Sequence, residues 1–228
     1  MGSGKPGKFK SRKKIGYYFR RFVKKVSRLL GLTETYEDRL NEMKSRGLKI
    51  GKDVVMSPGA LLDKNYPYLI SIGDNSVICT GVRLLAHDAT ILEFTGGYMR
   101  VGRIDIKENC IIGINSIILP GVTIGPNVLV ASGSVVNKDI PPNTCVAGNP
   151  ARYYSKFDAV MQTYKDEIAK SDTFKAVDIY MNEDEKRVDR KMKIIEQSKT
   201  GNVWIKGRES RNPKKIREFV YGPMSFEP

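Results

Sequence analysis

Aliphatic residues return every six positions through the middle of this chain. Ile106, Ile112, Ile118, Ile124, Val130 and Val136 form an unbroken series, and Ile140 and Val146 continue it after the period shortens by two. Two earlier sets, Ile50, Met56 and Leu62, then Ile72, Ile78 and Leu84, share the spacing. Most repeats follow the aliphatic with a small or turn-forming residue and place a small or β-branched one four positions on, as in "IGINSI", "IGPNVL" and "VASGSV". An amphipathic helix would need spacings of three and four, and an alternating strand a spacing of two. A β-sandwich with Gly/Pro turns would lack the six-residue invariance. The period therefore predicts a prism in which each hexapeptide gives one short strand and one tight turn, with three making a coil. The aliphatic points inward onto its equivalents in the coils above and below, while Gly, Asn, Asp and Pro supply the corner angles that bulky residues resist.

The rhythm breaks once. After Leu84 the next inward aliphatic falls due near position 90, but "TILEFTGGYMR" intervenes and regular repeats resume only at 101–106. Surplus residues in a solenoid must leave the coil as a loop. The loop expected over 90–100 carries flexible joints at Gly96 and Gly97 and apolar surface from Phe94, Tyr98 and Met99. His87, the only histidine of 228 residues, stands at the corner where it departs. From the residues alone, a polar side chain on a solvated edge and a functional imidazole fit this position equally well.

On either side of the repeats the composition changes, giving three expected segments: a basic arm and amphipathic helix over 1–44, the prism over 45–153, and a helical extension over 154–228. The formal charge of +14 is concentrated at one end, since residues 1–30 contain eleven Lys or Arg and no acidic residue. In "IGYYFRRFVKKVSRLL" the apolar residues Ile15, Tyr18, Phe19, Phe22, Val23, Val26, Leu29 and Leu30 fall at helical spacing among five cations. Two readings fit residues 14–30: peripheral contact with an anionic membrane surface, or a helix packed on the first coil. No run approaches the ~18 apolar residues of a spanning helix, and the N-terminus lacks the apolar core of a secretory signal, so a cytoplasmic location is expected, with contact at the inner face of the membrane on the first of those two readings. Cys79, Cys110 and Cys145 form no CxxC pair and are expected to be reduced packing residues. Beyond Arg152, Phe157, Val160, Met161, Tyr164 and Ile168 follow helical spacing.

Over about residues 45–153 the sequence resembles the hexapeptide-repeat acyltransferases with a left-handed parallel β-helix. In particular it is similar to the sugar O-acetyltransferases of the maltose and galactoside acetyltransferase type. The resemblance rests on "GLKIGKDVVMSPGALLDKNYPYLISIGDNSVI", "LLAHDAT" and "IIGINSIILPGVTIGPNVLVASGSVVNKDIPPNTCVAGNPAR". It implies a mainly β left-handed parallel β-helix, a homotrimer, acetyl-CoA as acyl donor, and a sugar or glycan acceptor. His87 in "LLAHDA" matches the family's catalytic base. Coenzyme A contacts fall by motif on Ile114, Ser132, Asn137, Lys138 and Arg152; at Ile111 and Ile114 the sequence departs from the family's usual tryptophan and small residue. The acceptor pocket is expected around His87, the loop 90–100 with Glu93, and the irregular "DKNYPYL", with Asp63, Asn65 and Tyr66 as contacts; the tyrosines could equally cap the coil. No residue is identified as the partner that orients His87.

The chemistry explains the histidine. A sugar hydroxyl becomes nucleophilic only as its proton is removed, and a neutral imidazole with an ordinary pKa of ~6.5 does this near neutrality. No metal is expected: a zinc-dependent enzyme on such a prism needs three histidines, and the chain has one. With no second histidine to activate a cysteine, direct transfer in a ternary complex is expected over an acyl-cysteine route. The rival function is a non-catalytic scaffold using its basic arm on nucleic acid or membrane; nucleic acid is not expected as a partner.

Overall fold

The computed structural model describes residues 36–171, 173–175, 193–194, 196, 198 and 204–206. The amphipathic segment 14–30 lies outside the described residues. The chain divides into two compact units, Met1–Ser45 and Arg46–Pro228. In the first, the helix Tyr36–Ser45 places Glu37 and Asp38 in its first turn and Lys44 in its last, complementing the helix dipole, and buries Leu40 and Met43.

The second unit is built from strands of two to four residues that visit three parallel sheets in rotation. The first face stacks Lys49–Ile50, Ile70–Ile72, Ile104–Ile106 and Thr123–Ile124, and Ile140 bridges onto Ile124 at its end. On the second lie Val55–Met56, Val77–Ile78, Ile111–Ile112, Leu129–Val130 and Thr144–Ala147. The third carries Leu61–Leu62, Arg83–Leu84, Ile117–Ile118 and Val135–Val136. Every aliphatic of the six-residue series is the inward residue of its strand or bridge, and from Ile72 to Val136 all are essentially inaccessible to solvent.

Register holds the stack together. Ile50 pairs with Ile72, Ile72 with Ile106 and Ile106 with Ile124, so each inward side chain rests on its counterpart one coil away. A second inward row comes from the small residues four positions on. Ser76, Ser116 and Ser134 are fully buried and bond to backbone of adjacent turns, as in Ser116 Oγ donating to Ala131 O at 3.0 Å. Coils approach so closely after the inward aliphatic that a Cβ on Gly113 would lie 2.6 Å from the Ser132 nitrogen, which explains the recurrent "IG".

The corner between the first and second faces is an asparagine ladder. Asn75, Asn109, Asn127 and Asn143 all have φ between 54° and 57°, the left-handed region that Asn tolerates better than most residues. Asn109 Nδ2 donates to Asn127 Oδ1 at 3.1 Å, and Asn127 Nδ2 to Asn143 Oδ1 at 2.8 Å.

Both irregular stretches leave the corner between the third and first faces. Ile106 and Ile124 pair across a regular coil of 18 positions, whereas Ile72 pairs with Ile106 across 34 and Ile50 with Ile72 across 22. The surplus is the segment 63–69 in one coil and the excursion after Leu85 in the next. That excursion is a hairpin: His87 and Asp88 pair antiparallel with Val101 and Arg100. Beyond the last coil, Arg152–Lys156 runs antiparallel to Thr144–Ala147 and leads into the helix Phe157–Lys170. The extension read as helical also contains a parallel pair, Thr173–Lys175 with Trp204–Lys206, which the periodicity did not reveal.

Asn127→Ala should destabilise the fold by about 1–3 kcal/mol, from left-handed strain and lost ladder bonds. Asn127→Gly should recover about 1 kcal/mol of that loss, because glycine carries no Cβ penalty there. Chemical denaturation of the two variants checks the order.

Candidate active site

Corner stacking puts two insertions against each other, and His87 sits between them. Asp63 follows Leu62, which lies in register with Leu84, and the Asp63 N–H donates to Leu84 O at 3.0 Å. Its carboxylate therefore lies alongside the strand that leads into His87. Oδ2 accepts the Ala86 N–H at 3.0 Å and is paired with His87 Nδ1; Oδ1 accepts the Asn65 N–H at 3.0 Å and the Tyr66 N–H at 3.4 Å. The Asp63 side chain is 2% exposed and that of His87 28%, so an almost fully buried carboxylate holds a half-open imidazole.

Since a carboxylate only accepts, Nδ1 carries the proton it donates to Asp63, and in the neutral ring Nε2 keeps its lone pair. Asp63, expected among the acceptor contacts, is bonded within the protein. Four internal donors occupy its two oxygens, so it has little capacity left for a sugar hydroxyl. It is the orienting partner that the sequence left unidentified. The signal was present in the six-residue rows, because Asp63 follows the one aliphatic stacked under Leu84.

Asp88, adjacent in sequence, serves the hairpin instead. Its carboxylate accepts from the Thr90 hydroxyl and from the Thr90 N–H at 2.9 Å. Those two bonds, reinforced by Arg100 across the ladder, hold it below the usual carboxylate range. Glu93 lies on the exposed single turn Leu92–Phe94, away from the bonds that fix the imidazole. Asn65 is exposed and meets Asp63 through its backbone. Tyr66 is half-buried with its ring centroid 5.2 Å from that of His87. At the hairpin tip Phe94 is 91% and Tyr98 76% exposed, a large apolar surface for a single chain.

The residues matched to coenzyme A fall on two different edges. Ile114 and Ser132 occupy the corner between the second and third faces, one coil apart, with the Gly133 N–H donating to Ile114 O at 2.8 Å. Arg152 follows the last turn on that same edge. Asn137 and Lys138 lie on the corner that carries His87, in a later coil. All five are exposed. No thiol competes with the imidazole: all three cysteines are free, burial pushes Cys110 up to about 11, and it also raises Cys79 and Cys145. Among the described residues no group of His, Cys, Asp and Glu could hold a metal ion.

A stacked hexapeptide prism with an acid-held imidazole beside a projecting hairpin defines a class, and sequence comparison agrees with it. The family "Bacterial transferase hexapeptide (six repeats)" matches residues 103–138, and "Hexapeptide repeat of succinyl-transferase" matches 70–86. Protein CapG of Staphylococcus aureus is 36% identical over 127 residues, which cover 54% of this chain and 72% of CapG. The galactoside O-acetyltransferase of Escherichia coli is 42% identical over 87 residues, 37% of this chain and 43% of that enzyme. The Bacillus subtilis protein YvoF is 37% identical over 105 residues, and the chain spans 58% of its length. A solved hexapeptide-repeat acetyltransferase from Vibrio cholerae superimposes with a TM-score of 0.45 at 22% identity, over 62% of this chain and 92% of that one. The chain belongs to the hexapeptide-repeat acetyltransferase family, and its prism is that family's left-handed parallel β-helix.

The Asp63 contact carries a spectroscopic prediction. Because the chain has one histidine, its ring nitrogens can be read without assignment. In the neutral ring of the native protein the proton should reside on Nδ1, and in Asp63→Asn it should move to Nε2, the nitrogen favoured by free imidazole side chains; long-range ¹H–¹⁵N correlation distinguishes the two.

Proposed function

We propose that the protein is an acetyl-CoA-dependent O-acetyltransferase of sugar hydroxyls in which His87 is the general base. The observation that carries this reading is the buried Asp63 carboxylate on His87 Nδ1, which leaves Nε2 as the nitrogen able to take a proton. The acceptor O–H gives its proton to Nε2 as its oxygen attacks the thioester carbonyl. The C–S bond breaks, and the departing thiolate takes the proton back from the imidazolium. Through this cycle Asp63 stabilises the transient cation without moving. With every cysteine thiol held in its protonated form, transfer within a ternary complex is the route the side chains support.

The donor fits the exposed edges. Lys138 and Arg152 are exposed cations suited to phosphate oxygens, and Ile114 and Ser132 lie on the same edge as Arg152, in the two coils before it. These residues divide between two edges of one prism, an arrangement compatible with a donor groove between neighbouring copies, and the homotrimer itself is implied by the family resemblance. A sugar acceptor is supported by the likeness to a galactoside O-acetyltransferase. The cationic amphipathic stretch 14–30 supports a polysaccharide or cell-surface glycan precursor met at the inner face of the membrane.

His87→Ala should fold and assemble as the native protein does while losing about two or more orders of magnitude in turnover, the scale of a general base. Thiol release from acetyl-CoA across a panel of free sugars and lipid-linked glycans provides the assay. Near-native turnover in the variant would overturn the proposal.

A further inference from the structure

One side chain connects the imidazole to both insertions at this corner. Tyr66 leaves the coil within 63–69, and its N–H approaches Asp63 Oδ1 at 3.4 Å. Its ring lies 5.2 Å from the His87 ring with the planes inclined at 56°, and its hydroxyl donates to Met99 Sδ on the hairpin at 3.7 Å. On its other side Tyr68 meets it edge-on, with ring centroids 6.1 Å apart. Tyr66 is half-buried while Tyr68 is exposed, so Tyr66 is the inner of the pair and has neighbours on several sides.

A hydrogen bond to Nδ1 fixes one atom of an imidazole but leaves the ring plane free to swing about that bond. An aromatic ring packed at an incline against it removes that freedom, and its π-face becomes more attractive to the imidazole when the latter takes on positive charge. We propose that Tyr66 is a positioning residue for the base: its ring holds the His87 plane in the Asp63-bonded pose. This assigns Tyr66 a role through His87, in place of the acceptor contact its sequence position suggested, and it rests on His87 being the base.

The test separates ring from hydroxyl. Tyr66→Leu should lower kcat by about ten- to a hundredfold, the scale on which a misplaced catalytic group is felt, while the acceptor KM stays within about twofold. Tyr66→Phe keeps the ring and should restore kcat. The ring protons of the single histidine should lose their aromatic ring-current shift in Tyr66→Leu and keep it in Tyr66→Phe. A raised KM with unchanged kcat in Tyr66→Leu would make Tyr66 an acceptor contact and overturn the proposal, as would equal kcat losses in the Leu and Phe variants. His87→Ala in the same assay separates the two levels: if it is inactive and Tyr66→Leu has native kcat, only the role of Tyr66 falls, and if it remains active, the base falls and the role of Tyr66 with it.

Discussion

Coil-on-coil register is the constraint on which this molecule depends. Each short strand is too brief to be stable alone, and its two or three backbone bonds count only because the next coil repeats them in phase. Inward aliphatics stacked in three columns fix that phase, since a slip of one residue would turn an Ile outward and a polar neighbour in. The glycines after the aliphatic and the left-handed asparagines at one corner are consequences of the same spacing. They are the residues that permit coils to approach closely and turn sharply.

Function follows from where the register is allowed to lapse. Surplus residues appear twice, and both times at the corner between the third and first faces, one coil above the other. A regular coil would place a small inward residue and a tight turn at this edge. Here it holds a buried carboxylate with four donors, an imidazole bonded to it, and an aromatic ring that leans on the imidazole and reaches the hairpin. The prism supplies rigidity beneath and the insertions supply chemistry above. The general-base role proposed for His87 calls for this combination, because proton transfer rewards a ring held in one orientation.

The prism could be read almost completely from the spacing. From Ile72 through Val136 the aliphatics picked out by period six are all buried, and the break after Leu84 located the hairpin with His87 at its root. What escaped were relations between coils. Asp63 and His87 are 24 positions apart with an irregular stretch between them, so the pairing is invisible along the chain and becomes visible only when Leu62 is set under Leu84. The division between two edges of the residues matched to coenzyme A could likewise have been counted, since Ile114 comes two residues after a second-face aliphatic and Asn137 one after a third-face one. The paired strands Thr173–Lys175 and Trp204–Lys206 are three residues each, too short for any period to show.

The central claim is that Asp63 and His87 act as one unit, the carboxylate working only through the imidazole. A double-mutant cycle on kcat tests this most directly, comparing Asp63→Asn, His87→Ala and the combined variant in acetyl-CoA-dependent transfer. Residues that act as a unit are strongly non-additive. The account predicts that Asp63→Asn costs rate in the native background and nothing further once His87 is alanine. Losses that multiply in the combined variant would contradict it, because Asp63 would then contribute by a path that does not pass through His87.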